Sequence, residues 1–246
     1  MVKNYLVSAV RPIRDGWHLE KNQDLYLNYQ IMSELSLASY QKFLTEPFEF
    51  VLLTDPVDNN YQNNLSTWNY IYELWHREPC NILWAGADTF MVQPTKIFQD
   101  VYQDYRLFNY TDPRTVPGFP HYFNDDVQLF PHTMKPETWQ VGLEFWNKGH
   151  DDPAVLEWGF DQMRHNAMFW SQDIAITDRL HPWFNYMCHD LRELSPPAVQ
   201  WVEQWNQFAL DRAHILHFAA SRGSQAVIDI MRQLCDKLGI QYATHT

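Results

Sequence analysis

An α/β fold, with a mostly parallel central sheet flanked by helices, is the architecture this sequence predicts, and three observations carry it. Short apolar runs alternate with longer segments of helical periodicity through residues 1–90. Each run ends in a polar or small-residue exit, as buried parallel strands do. The chain has 246 residues and 46% hydrophobic content, enough for one full core.

The elements follow in order. Residues 5–10 form the first apolar run, closed by Arg11 and Pro12, and residues 48–53 form the second, closed by Thr54, Asp55 and Pro56. Between them, residues 24–43 carry Leu25, Leu27, Ile31, Met32, Leu35, Leu37 and Tyr40 at mostly helical spacing, which makes the first third β-α-β. Residues 65–76 repeat the helical pattern with Trp68, Ile71, Tyr72 and Trp75, and lead into a third strand at 81–84. Such alternation places ligands beyond the carboxyl ends of the strands. Past Asp88 the pattern loosens into a Pro- and Gly-containing loop at 113–120 and a strand-like stretch at 121–130. Helical segments then follow at 136–148, 153–168 and 224–238. No repeat, low-complexity tract or linker divides the chain, so a single domain over 1–246 is expected.

Composition narrows the function. The formal net charge is −12, and no Lys or Arg run is long enough to track a polyphosphate. Nucleic acid is therefore a disfavoured partner, while a local pocket for a nucleotide diphosphate stays open. Cys80, Cys188 and Cys235 are far apart and match neither a disulfide framework nor a zinc site, which fits a reducing, cytoplasmic setting. The N-terminal apolar run is too short for a signal peptide and is cut by Arg11, and nothing approaches the ~20 apolar residues of a membrane span. Walker A, GxGxxG, HExxH and GxSxG patterns are missing, so NTPase, Rossmann dehydrogenase, zincin and α/β-hydrolase readings lack their signatures.

The sharpest chemical feature is Ile82-Leu83-Trp84-Ala85-Gly86-Ala87-Asp88-Thr89-Phe90, an apolar strand running into a small-small-acid turn. Asp88 then stands where a parallel sheet presents its ligands, and the small residues admit close approach of backbone to substrate. An Asp in this position also serves as an ordinary turn or cap residue. The segment resembles the Asp-x-Asp region of GT-A glycosyltransferases, in particular the glycogenin-like and bacterial galactosyltransferase-like retaining group, where an apolar strand ends in Asp-Ala-Asp-Thr. Asp88 matches the second Asp, a direct metal ligand, and Ala87 the residue between. Gly86 stands where the first Asp should be.

Three further segments carry the same resemblance in the same order. Tyr122-Phe123-Asn124-Asp125-Asp126-Val127-Gln128-Leu129-Phe130 is similar to the family's Phe-Asn-Ser-Gly-Val-x-Leu-Phe, which lines the donor and acceptor sugars. Asn124 carries over, and Asp125 and Asp126 replace the small pair. As an acidic pair these two are open to two readings, holding sugar hydroxyls or facing solvent. Phe169-Trp170-Ser171-Gln172-Asp173 resembles the segment whose carboxylate or amide reaches the reacting face of the donor sugar or the acceptor hydroxyl, which nominates Gln172 and Asp173. Ser171 or Gln172 is equally a helix cap. Ile215-Leu216-His217-Phe218-Ala219-Ala220-Ser221-Arg222 resembles the family's His-Phe-x-Gly-x-x-Lys. His217 then matches a metal-ligand histidine, a suitable partner for carboxylate oxygens around Mn²⁺. The family's Lys falls on Gly223, and Arg222 beside it suits diphosphate oxygens.

The resemblance spans residues 82–222, with weaker strand matches at Val7-Ser8-Ala9 and Leu53-Thr54-Asp55, where the family holds base and ribose. It nominates Ala9, Arg11 and Asp55 there, with Ala87 and Arg222 nearer the diphosphate. What it implies is a GT-A domain with a nucleotide-binding part at 1–90 and an acceptor-side part at 91–246. The implied reaction is transfer of a sugar, with retention, from a UDP-sugar or related donor to an acceptor hydroxyl, assisted by a divalent metal (Mn²⁺ or Mg²⁺). The acceptor is a glycan or, less in keeping with the charge, a modified DNA base. A nucleotidyltransferase and a non-catalytic nucleotide-sugar-binding homologue are the alternatives. Trp pairs seven apart, Trp68 with Trp75 and Trp139 with Trp146, read as core-facing, while Trp84, Trp170 and Trp183 are candidates for an acceptor platform.

Overall fold

The computed structural model describes residues 2–12, 19–58, 60–98, 108–112, 122–133, 186–188, 210–218 and 223–243. Their elements are β1 (Lys3–Ala9), α1 (Leu19–Phe43), β2 (Glu49–Leu53), α2 (Asn60–Arg77), β3 (Cys80–Ala85), β4 (Thr89–Met91), β5 (Phe108–Asp112), β6 (Tyr122–Phe130), β7 (Tyr186–Met187), β8 (Ile215–His217) and α3 (Gln225–Leu238). A five-stranded sheet runs β2-β1-β3-β6-β5, and a three-stranded sheet runs β4-β8-β7. The first three strands are parallel, with Ala9 opposite Leu53 and Val7 opposite Trp84. β6 joins β3 antiparallel, and β5 joins β6 antiparallel.

This order explains which helix covers which face. The β1–β2 and β2–β3 crossovers move in opposite directions across the sheet, and right-handed crossovers then put α1 and α2 on opposite faces. Strand alternation matches. Leu6, Leu83 and Leu129 pack with Met32, Leu35 and Tyr40 of α1 and with Val227, Ile228 and Met231 of α3. Tyr5, Val7, Ile82 and Phe130 pack with Trp68, Ile71 and Leu74 of α2. Trp68 is thus a core residue and Trp75 is a part-buried one packed against the same cluster, its indole N–H donating to the Pro131 carbonyl at 3.0 Å.

Two helices begin earlier than apolar spacing indicates: α1 at Leu19 and α2 at Asn60. Their added first turns are mostly polar, and Glu, Lys and Gln extend a helix by intrinsic preference without an apolar stripe to announce them. α3 is bounded by the Ser224 side chain, which accepts from the Val227 N–H, and by Gly239 at φ 62°, whose N–H returns to the last turn. All three cysteines are free and buried. No helix of the described residues is long and apolar enough to cross a membrane. The helices expected at 136–148 and 153–168 and the loop at 113–120 lie outside the described residues, as do Trp139, Trp146, Trp170 and Trp183.

Candidate functional site

The turn leaving β3 is held from both sides by backbone bonds. Gly86 N–H donates to the Asp126 carbonyl at 2.8 Å, and Phe218 N–H donates to the Asp88 carbonyl at 2.9 Å. Thr89 closes the turn on itself, its N–H and hydroxyl both donating to the Gly86 carbonyl, at 3.1 and 2.7 Å. The Thr89 hydroxyl spends its hydrogen there, so the buried Tyr40 hydroxyl 3.2 Å away is the donor between the two. Burial raises the Tyr40 pKa well above the usual phenol range. The charge of Asp88 adds to that shift, leaving a neutral phenol beneath the turn.

His217 ends β8, opposite Thr89 on one side and Met187 on the other. Its carbonyl accepts from Cys188 N–H at 2.8 Å, which fixes the backbone that carries the ring. The ring is 1% exposed, and its Nε2 lies 3.1 Å from Asp126 Oδ2 and 3.9 Å from Asp88 Oδ1. One ligand atom from each of Asp88, Asp126 and His217 falls within 4.8 Å of the others. A hydrogen bond accounts for the Asp126 contact alone; the nearby Asp88 oxygen makes the arrangement a three-atom donor set. Two carboxylate oxygens and one imidazole nitrogen suit a divalent ion such as Mn²⁺ or Mg²⁺. The carboxylates are part-exposed at 15% and 38% while the imidazole is buried, so the set opens outward.

The other nominated residues are placed as follows. Ala87 is buried in the turn beside Asp88. Ala9 ends β1 opposite Leu53, and Asp55 is exposed just past β2. Arg11 is half-buried and its guanidinium donates to Ser66 of α2, while its Nε is buried without a partner. Burial lowers its pKa and the nearby Asp55 charge opposes that. Asn124 lies in β6 opposite Tyr110. Gln172, Asp173 and Arg222 lie outside the described residues. Gly223, next to Arg222, has φ 61°, and a Cβ there would meet Leu25 Cδ1 at 2.7 Å; its carbonyl accepts from Asn28 Nδ2 at 2.7 Å. The left-handed backbone would strain a side chain at this position, and its Cβ would press on Leu25.

Two more residues take their places. Trp84 packs on Trp68, ring centroids 6.2 Å apart, because alternation along β3 turns it to the α2 side, and it stays part-exposed. Asp126, left between sugar and solvent, is part-exposed and also faces His217. The signal that could have found it was the pairing of β6 with β3, and an apolar run does not disclose its partner.

No protein-family model and no curated protein sequence matches the chain. Solved structures do. A glycosyltransferase involved in glycosylation of the major capsid of PBCV-1 is similar with a TM-score of 0.54 at 12% identity, over 94% of this chain and 99% of that one. The galactosyltransferase LgtC, solved with donor and acceptor sugar analogs, gives 0.52 at 11% identity over 98% and 97%. The bifunctional glycosyltransferase WbbM gives 0.57 at 12% identity, over 96% of this chain and 50% of its own. With its parallel β2-β1-β3 half, its Asp88 turn and these neighbours, the chain has the GT-A glycosyltransferase fold.

Proposed function

We propose that this protein is a glycosyltransferase that moves a sugar, with retention, from a nucleotide-diphosphate sugar, a UDP-sugar in the first instance, to an acceptor hydroxyl of a glycan, with help from a divalent metal. The observation that carries this reading is the convergence of Asp88, Asp126 and His217 beyond the end of β3 in a chain of this fold.

Asp88, Asp126 and His217 would hold the metal. A bound divalent ion supplies positive charge that stabilises a departing diphosphate. The chain's own residues do the rest. Gly86 leaves room for the Asp88 and Asp126 carboxylates to stand side by side, and the backbone bonds to Phe218 and Asp126 keep them from drifting. Arg222 is assigned to the diphosphate, Ala9, Arg11 and Asp55 to base and ribose, and Asn124, Gln172 and Asp173 to the donor sugar and the acceptor hydroxyl. A single domain over 1–246 is part of the same proposal.

The test combines binding and turnover. UDP-sugars should raise the melting temperature more with Mn²⁺ than without, by the equivalent of about 2.7 kcal/mol at a hundredfold excess over Kd. Slow donor hydrolysis should require Mn²⁺ and be lost in Asp88→Ala. A shift with nucleoside triphosphates but none with any UDP-sugar would point to nucleotidyl transfer instead. Equal hydrolysis by wild type and Asp88→Ala would remove this site from the reaction.

A further inference from the structure

Gly86 and Asp126 face each other across an antiparallel ladder. Ala85 pairs with Val127, and the Gly86 N–H to Asp126 carbonyl bond of 2.8 Å carries the register one residue further. Residues directly opposite in such a ladder project from the same face, so a side chain from either reaches much the same space. At this position only one of the two has a side chain. A Cβ placed on Gly86 would lie 3.1 Å from Asp126 Oδ1, 3.5 Å from Asp126 Cβ and 2.9 Å from Asp88 Oδ1. The room that a residue at 86 would use is therefore already filled by the Asp126 carboxylate.

A second feature of β6 aims that carboxylate. On its other edge, Gln128 is opposite Asn109 and Asn124 is opposite Tyr110, so residues 125–127 have no counterparts on β5. Such a bulge bends the strand and redirects the side chains it carries. Here it occurs where β6 still pairs with the end of β3, and Asp126 Oδ2 lies 3.1 Å from the buried His217 ring.

We propose that Asp126 is the second metal-binding carboxylate of this protein, supplied across the β3–β6 ladder in place of the first acid of the Asp-x-Asp turn, so that positions 86 and 126 share one exchangeable carboxylate. The proposal rests on the metal-assisted reading above. It joins two departures in the sequence, glycine where an acid is expected and acid where a small residue is expected, into one exchange. It also accounts for the glycine: its φ is not left-handed, so backbone conformation does not require it, whereas the space taken by Asp126 and Asp88 does.

The test is Mn²⁺ binding, followed by the electron paramagnetic resonance of free Mn²⁺, with the metal alone and with UDP added. Wild type is compared with Asp88→Asn, Asp126→Asn, Asp126→Ser, Gly86→Asp and the double variant Gly86→Asp/Asp126→Ser, with folding checked by circular dichroism. Asp126→Asn, close in shape, and Asp126→Ser should each weaken binding with UDP by roughly tenfold or more, since even residues behind a ligand commonly cost that much. The double variant should recover most of the loss. Gly86→Asp alone should bind no better than wild type, because the third acid competes for space already taken. Loss of binding in Asp88→Asn with none in either Asp126 variant would overturn the exchange and leave the metal reading standing. A double variant as weak as Asp126→Ser would do the same. A wild type that binds no Mn²⁺ in either condition would overturn both.

Discussion

The carboxyl end of the sheet has two rims that behave differently. Beyond β3, short side chains from the β3 exit, β6 and β8 converge within 4.8 Å, each on backbone bonded to a neighbouring strand or turn. Beyond β1 and β2, Arg11 turns back to Ser66 of α2 and Asp55 stands exposed. The difference lies in how position is transmitted. A short side chain on a paired residue inherits the accuracy of the ladder, whereas a long cation on a strand exit takes the acceptor its flexible stem reaches. The first rim is preorganised, and the second is not.

Four experiments put that contrast to the test. The largest effect is expected from His217→Gln at the preorganised rim. Metal-dependent donor hydrolysis should fall by about two orders of magnitude, comparable to losing one transition-state donor elsewhere, and steady-state rates across a Mn²⁺ titration would check it. Next is Gly86→Ala, whose methyl would press on Asp88 and Asp126. Mn²⁺ affinity measured calorimetrically should drop severalfold, by the displacement of both carboxylates, while the melting temperature stays close to wild type. A large loss of stability with unchanged affinity would mean that the turn, not the carboxylates, needs the glycine.

Arg11→Met tests the second rim. It keeps the stem's packing and removes a guanidinium with one unpartnered buried nitrogen, so stability should move by about 1 kcal/mol or less. UDP affinity should weaken by less than about tenfold, an amount set by one exposed-side charge contact. Abolished UDP binding would show that this rim is as preformed as the other.

The smallest effect at neutral pH spares both rims. Burial pushes the Cys80 and Cys235 thiols up to about 12, from 9.0. A folded pKa above the unfolded one contributes stability that is complete below pH 9 and lost as pH rises toward 12. The melting temperature should therefore decline across that window, and Cys80→Val should flatten part of the decline. Thiol alkylation should accompany unfolding rather than precede it.

Much of the fold was legible in the chain. The apolar runs at 5–10, 48–53 and 81–84 became β1, β2 and β3 with edges moved by a residue or two, because a strand buried on both faces must be apolar throughout. The start of α1 was not legible, since its first turn is mostly polar and a lone Leu19 gives no periodic signal. Within the candidate site, Asp88 and His217 stood out through their local segments, and the structure brings both to the same place. Trp84 was read from its nearness in sequence to the site, and its contact with Trp68 depends on how α2 packs on β3, which the local sequence does not carry.

By itself, then, the sequence determined the α/β layering, the strand that ends at Asp88 and the segment that ends at His217, since each depends on contiguous residues whose pattern is local. The tertiary structure alone decided that β6 lies antiparallel against β3, that Gly86 sits opposite Asp126, and that three donor atoms meet at the carboxyl end of the sheet. Those outcomes join positions from 86 to 217, and the register of a ladder is set by which faces are buried together. A residue's own neighbours in sequence do not carry that information.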